Sequence, residues 1–272
     1  MSNVLSKLFS DAKNRWKSVT NPEHKKANLN WLKIRKLKFL NLNKPGVFQL
    51  KGRNFHFTSG PELLHSLKEI FVGDIYKMKF DTGTPYIIDC GANMGMSILY
   101  YKQMAPDARI VAFEPDVNNF ELLKKNVEEL SGVKIYNQAV WKENIFLKFA
   151  ASGTLSSKIV TETTTNTIDV QAVRLKDYLV EPVDFLKLDI EGAEYEVLKD
   201  CGESLQVAKN IFIEYHGHFN TLNQLNEILD LLVKNQFSYY IKEADFVYAT
   251  PFYRAETNKM YDIQLNIFCF KN

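Results

Sequence analysis

The sequence predicts an α/β fold: a mostly parallel sheet with helices on both faces. From Tyr86 onward, short apolar runs of strand length alternate with segments of helical periodicity, the pattern of strands linked by crossover helices. The last two strand-like runs, residues 238–242 and 263–270, have no helical pattern between them, so the final strand should run antiparallel. The chain has 272 residues, 46% of them apolar, enough to bury one catalytic core with an extension.

Residues 1–20 suit a short amphipathic helix with Val4, Leu5, Leu8 and Phe9 on one side, ended by Asn21-Pro22. Residues 31–42 alternate apolar and basic side chains in a way that fits a strand or a helix. Residues 48–57 read as a strand pair around Gly52, and Ser59-Gly60-Pro61 opens a helix running to about Phe71. Residues 77–85, with Gly83 and Pro85, form a linker. Beyond it the expected strands are 86–89, 109–113, 133–139, 145–150, 185–188, 211–214, 238–242 and 263–270. Expected helices lie near 96–104, 118–130, 193–198 and 222–235, and the Thr-rich stretch 161–167 reads as a flexible hairpin or loop over the site. The organisation is thus a basic extension over 1–53, a lead-in strand and helix over 54–84, and the main domain over 85–272.

Charge is unevenly spread. Residues 1–53 carry 13 Lys or Arg against Asp11 and Glu23, a net +11, while the remainder holds 21 basic and 30 acidic residues, a net −9. A basic head on an acidic body points to an acidic partner, a docking contact with a lipid surface, or a second subunit whose acidic face the head covers. Cys90, Cys201 and Cys269 are far apart and lack CxxC spacing, so they read as buried thiols of a reducing compartment. No apolar run approaches the roughly 20 residues of a membrane span and no signal pattern is visible. The cytoplasm, extending to the inner membrane surface, is the expected location.

The strongest local signal follows the first main strand. Asp89 ends that strand, and Gly91 and Gly95 sit in the turn that opens the next helix. The spacing Asp-x-Gly-x-x-x-Gly differs from the Gly-x-Gly-x-x-Gly of a dinucleotide site. A strand-end carboxylate aimed into the pocket would repel a phosphate but can meet an ammonium group. The second strand ends Ala112-Phe113-Glu114-Pro115, with Glu114 19 residues beyond Gly95, where an acid suits the two hydroxyls of a ribose.

These segments resemble the FkbM family of class I S-adenosylmethionine-dependent methyltransferases. The matching residues are Ile88-Asp89-Cys90-Gly91-Ala92-Asn93-Met94-Gly95, Ala112 to Pro115, Gln138-Ala139-Val140, Leu186 to Glu194, and Ile213-Glu214. The Lys-x-Asp-x-Glu-Gly-Ala-Glu segment from Lys187 to Glu194 is the most specific piece, and the likeness covers roughly half the chain, about Tyr86 to His218. The resemblance implies a Rossmann-like, seven-stranded sheet with a reversed C-terminal hairpin, S-adenosylmethionine as donor, and methylation of a hydroxyl on a sugar, glycolipid or natural product. It assigns Asp89, Gly91, Ala92, Asn93, Gly95, Ser97, Glu114, Pro115 and Asp189 to the cofactor, with Gln138 and Ala139 beside the adenine. Trp141 stands where such enzymes often have a small polar residue.

A hydroxyl acceptor must lose its proton, to a general base or with the help of a metal. In doubly wound sheets the site lies beyond the carboxyl ends of the strands, which selects Asp189 and Glu191 after one strand and Glu214, His216 and His218 after the next. His216 is the preferred base, because a histidine ordinarily titrates near working pH, with Asp189 and Glu214 as catalytic companions and His218 as its alternative. Glu191 is read as a helix cap, Glu194 as a helix-surface charge, and Lys187 as the partner of a neighbouring acid. A Mg²⁺ ion on Asp189, Glu191, Glu214 and His216 is the less favoured variant, and no metal is assigned. The acceptor is expected to be a small molecule or glycan. The competing readings are a nucleic-acid methyltransferase, a dinucleotide-dependent oxidoreductase and a non-catalytic binding module. The first ordinarily presents an aromatic platform where Asp189-Ile190-Glu191 stands.

Overall fold

The computed structural model describes residues 24, 26–39, 44–150, 167–244, 247–254 and 259–271. The expected helix over 1–20 and the Thr-rich loop up to residue 166 lie outside them. The open segment at residue 31 is a helix, α1 (Trp31–Phe39). Strands β1 (Gly46–Leu50) and β2 (Arg53–Phe57) form an antiparallel hairpin with a two-residue turn. That turn places Lys51 at φ 51° and Gly52 at φ 82°, the left-handed pair that matches the twist of a tight hairpin. The hairpin spans the boundary expected at residue 53, because its inward side chains Phe48, Leu50, Phe55 and Phe57 belong to the main core.

Helix α2 (Gly60–Ser66) starts on Ser59, whose side chain accepts from the Glu62 N–H, and continues through a wider π-type turn over Leu67–Val72. The main domain then runs β3 (Tyr86–Cys90), α3 (Met96–Met104), β4 (Arg109–Phe113), α4 (Val117–Val127), β5 (Val133–Tyr136), β6 (Ala139–Trp141), β7 (Phe146–Ala150), β8 (Thr167–Arg174), β9 (Val183–Leu188), α5 (Glu194–Cys201), β10 (Ala208–Gly217), α6 (Leu222–Lys234), β11 (Ser238–Glu243) and β12 (Ile263–Phe270).

The seven-stranded sheet has the order β11-β12-β10-β9-β3-β4-β5. All neighbours are parallel except β12, which runs antiparallel to both β10 and β11. This is the Rossmann-like class I methyltransferase arrangement expected from the sequence. Strand β3 is buried along its whole length. Its alternation sends Ile87 into the core under α3, α4 and the hairpin, and Ile88 into the core under α5 and α6. The run expected as one strand over 133–139 divides in two. β5 joins the main sheet, whereas β6 turns away to a small sheet with β8 and β7. Strand β8 was not among the expected strands. The three cysteines are buried thiols, and no described helix is long and apolar enough to cross a membrane.

The strand order reverses between β3 and β9, and the turn after β3 closes against the end of β9 there. Gly91 adopts φ 87°, and a Cβ on it would lie 1.8 Å from the Asp189 carbonyl oxygen. The glycine therefore serves close backbone approach as well as the positive φ. Gly91→Ala is expected to destabilise the fold by more than about 2 kcal/mol, combining left-handed strain with a backbone clash. Urea unfolding with an unchanged midpoint would contradict this account.

Candidate active site

A cleft of about 350 Å³ opens at the carboxyl ends of β3, β4, β9 and β10. Gly91, Asn93, Glu114 and Pro115 line one side, and Gln138, Ala139 and Trp141 line the wall beyond them. Asp189, Glu191, His216 and His218 face the other end. Glu214 is not among the lining residues and lies 3.6 Å from His216 Nε2. Ala92, Gly95, Ser97 and Asp89 are not among the lining residues.

Asp89 departs from its expected orientation. It is fully buried, accepts from Ser97 Oγ at 2.5 Å and lies 3.3 Å from Lys187 Nζ. The cause is strand register: Asp89 on β3 sits directly opposite Lys187 on β9, so the ammonium captures the carboxylate before it can reach the cleft. Lys187 Nζ also donates to the Gly91 carbonyl at 2.7 Å and lies 3.2 Å from Asp189 Oδ2. Burial opposes its charge, but the Asp189 and Asp89 carboxylates outweigh burial and hold its pKa well above the ordinary lysine value.

The turn after β3 spends its own donors. The N–H groups of Gly91 and Ala92 both go to the Phe113 carbonyl, and that of Gly95 goes to the Ala92 carbonyl. Asn93, at φ 49°, donates its N–H to Glu114 Oε2 at 2.7 Å. The other oxygen, Oε1, accepts from the Asp116 N–H at 2.9 Å. Burial raises the Glu114 pKa to about 7, against these two bonds. Asp116 in turn caps α4 through the N–H groups of Asn118 and Asn119.

At the opposite end, neither Glu191 nor Glu194 takes its expected role. Glu194 is fully buried and accepts from the Ile190 and Gly192 N–H groups, binding the turn between β9 and α5. Glu191, at φ 55°, faces the cleft, and Tyr261 Oη donates to its backbone carbonyl at 2.8 Å. His216 Nδ1 meets Glu194 Oε1 at 3.1 Å, while Nε2 looks toward Glu214 at 3.6 Å and Glu191 at 3.8 Å. Burial lowers the His216 pKa, yet Glu194, Glu191 and Asp189 together push it up to about 10. The ordinary histidine pKa on which its choice as general base rested therefore does not hold. Glu214 is pushed well above the carboxylate range by burial, with Asp189 adding to it. His218 is half exposed and lies 3.6 Å from Asp262.

Tyr261 went unnoticed in the sequence. Its ring lies 4.7 Å from that of His216 and covers Gly192, but nothing in its local pattern marks it. Asp189, Glu214 and His216 each offer a donor atom, all within 4.8 Å of one another.

The methyltransferase FkbM domain model matches residues 89–248, which takes in the turn, both acidic strand ends and the His216 cluster. The chain belongs to the FkbM methyltransferase family. This methyltransferase is 28% identical over 212 residues to Methyltransferase sdnD of Sordaria araneosa, covering 63% of this chain and 82% of that protein. It is 30% identical over 198 residues to Methyltransferase 1 of Beauveria bassiana, covering 61% and 79%. The 2-O-methyltransferase NoeI of Sinorhizobium fredii is 26% identical over 172 residues, covering 54% and 71%.

The buried ion group on Lys187 gives a stability test in this methyltransferase. Lys187→Met leaves the Asp89 carboxylate uncompensated in the core and is expected to cost about 3–5 kcal/mol. Adding Asp89→Asn should recover part of the loss, read by urea unfolding of both variants. Strictly additive losses would show that the two groups are not coupled.

Proposed function

We propose that the cleft binds S-adenosylmethionine and that the chain methylates a hydroxyl group on a sugar, glycolipid or natural product. The observation that carries this reading is the spent turn after β3. The Gly91, Ala92, Asn93 and Gly95 N–H groups are all engaged within the protein, so these four are not available to cradle a pyrophosphate. The same cleft presents Asp189 and Glu191, which favour a cationic ligand over an anionic one. Its volume of about 350 Å³ suits a small molecule.

In this reading Glu114 receives the ribose hydroxyls on lone pairs its two backbone bonds leave free, and Gln138 and Ala139 flank the adenine. Gly91 and Asp189 border the methionine portion. S-adenosylmethionine supplies a methyl group on a sulfonium, a good leaving group, so the protein's main task is to align acceptor and donor. Asp189, Glu191 and Glu214 stand as proton acceptors for the hydroxyl. His216, held by Glu194 and carrying its own proton, anchors their charge. The likeness to a relative named as a 2-O-methyltransferase supports oxygen as the acceptor atom.

Titration calorimetry should show binding of S-adenosylmethionine and none of NAD, and Glu114→Ala should weaken the former by at least about tenfold, the loss of two charge-assisted hydrogen bonds. Binding of NAD alone, or of neither ligand, would sink the reading. With labelled donor and a panel of sugar, glycolipid and small hydroxyl acceptors, His216→Ala, which removes the charge that holds the three acids, should retain donor affinity and lose turnover by about 10²-fold. Unchanged turnover would remove His216 from the chemistry.

A further inference from the structure

We propose that Asp189, Glu214 and Nε2 of His216 form a divalent-cation site at the inner end of the cleft, of a mixed oxygen and nitrogen kind that suits Mn²⁺. Their donor atoms lie within 4.8 Å of one another, a spacing that a shared ion with ligands at about 2.1–2.4 Å can span. Their placement follows from the fold. Asp189 directly follows β9, and Glu214 and His216 stand two residues apart on β10, so both side chains project from the same face of the sheet.

The imidazole distinguishes this group from a plain cluster of acids. The His216 side chain is only 2% exposed, and its Nδ1 is fixed on Glu194. Nε2 makes no hydrogen bond among the described residues; its nearest acidic oxygens are 3.6 and 3.8 Å away, and it is aimed between Glu214 and Glu191. A buried carboxylate holding one ring nitrogen while the other faces more carboxylates is the usual outer support of a metal-bound histidine. Charge points the same way. Lys187 carries one positive charge against Asp89 and Asp189, and the imidazole at most one against Glu191, Glu194 and Glu214, so five carboxylates share two cations. The Glu214 carboxylate receives no hydrogen bond among the described residues, although it is largely buried. A divalent ion would satisfy it, displacing the Nε2 proton that His216 carries in the ion-free site and taking over its role of anchoring the acids' charge.

The inference deepens the transferase reading and rests on it for its purpose: an ion here lowers the pKa of a hydroxyl that contacts it, leaving Glu191 free to accept the proton. The test uses the full chain, stripped with chelator and titrated with MnCl2 and with MgCl2 in the absence of donor, by calorimetry and Mn²⁺ electron paramagnetic resonance. One Mn²⁺ per chain is expected, bound more tightly than Mg²⁺. Glu214→Gln, which preserves shape, should weaken binding by at least about tenfold, and Glu194→Gln by about 10–100-fold although it touches no ion. Unchanged melting temperatures establish that both variants are folded. No stoichiometric binding, or wild-type affinity in folded Glu214→Gln, overturns the site. A parallel titration with S-adenosylmethionine separates the two readings. Donor binding without Mn²⁺ binding removes the cation site alone. Mn²⁺ binding without donor binding leaves the site standing and removes the transferase reading.

Discussion

The structure turns on the ammonium of Lys187. It lies in the centre of the sheet, on β9, and gathers three partners that come from different segments: Asp89 on β3, Asp189 at the end of β9, and the Gly91 carbonyl in the first turn. Such a group adds little net stability over an apolar equivalent, because removing its charges from water offsets most of the attraction. What it supplies is position. Two strands and a turn can satisfy one buried cation in only one mutual register, and the β3–β9 pairing that sets Asp89 opposite Lys187 is that register. The contact between Gly91 and the Asp189 carbonyl closes the same junction from the other side.

A second buried ion group organises the far end of the cleft by the same means. Glu194 ties down the turn between β9 and α5 with two backbone N–H bonds and then holds His216 on the neighbouring strand. Because Glu194 turns inward, Glu191 is thrown outward at positive φ, with Tyr261 bonded to its carbonyl. Each ion group therefore fixes a loop first and presents a polar side chain to the cleft as a consequence. Mutational loss at either place mixes folding with function unless stability is measured alongside.

The frame of the molecule was legible because it rests on periodicity. The β3 run is apolar throughout, as a strand covered on both faces must be, and the helix expected over 96–104 has those bounds. The chemistry of single residues was less legible, since it depends on partners across strands that no local pattern reveals. Asp89 looked like a pocket carboxylate until its neighbour on β9 was known, and Glu191 and Glu194 differ only in which way one turn rotates. Strand β8 is a different kind of omission. Its residues alternate Ile168, Val170 and Ala172 with polar neighbours, a signal that was present but adjoined the Thr-rich stretch read as a loop.

The consequence for ligand choice lies in how the cleft distributes its unsatisfied groups. On the β3–β4 side the turn N–H groups from Gly91 to Gly95 are already used, and Glu114 is itself held by the Asn93 and Asp116 N–H groups. Those backbone groups are therefore not available to an anion. At the β9–β10 end, carboxylates outnumber the cations, and His216 is raised to about 10 simply by their proximity. A ligand that fits both ends must bring hydroxyl donors to one and positive charge to the other. A pyrophosphate group brings neither, whereas a nucleoside joined to a cationic chain brings both. In the proposed reading, selectivity comes from where the protein has spent its backbone donors as much as from any side chain that points into the cleft.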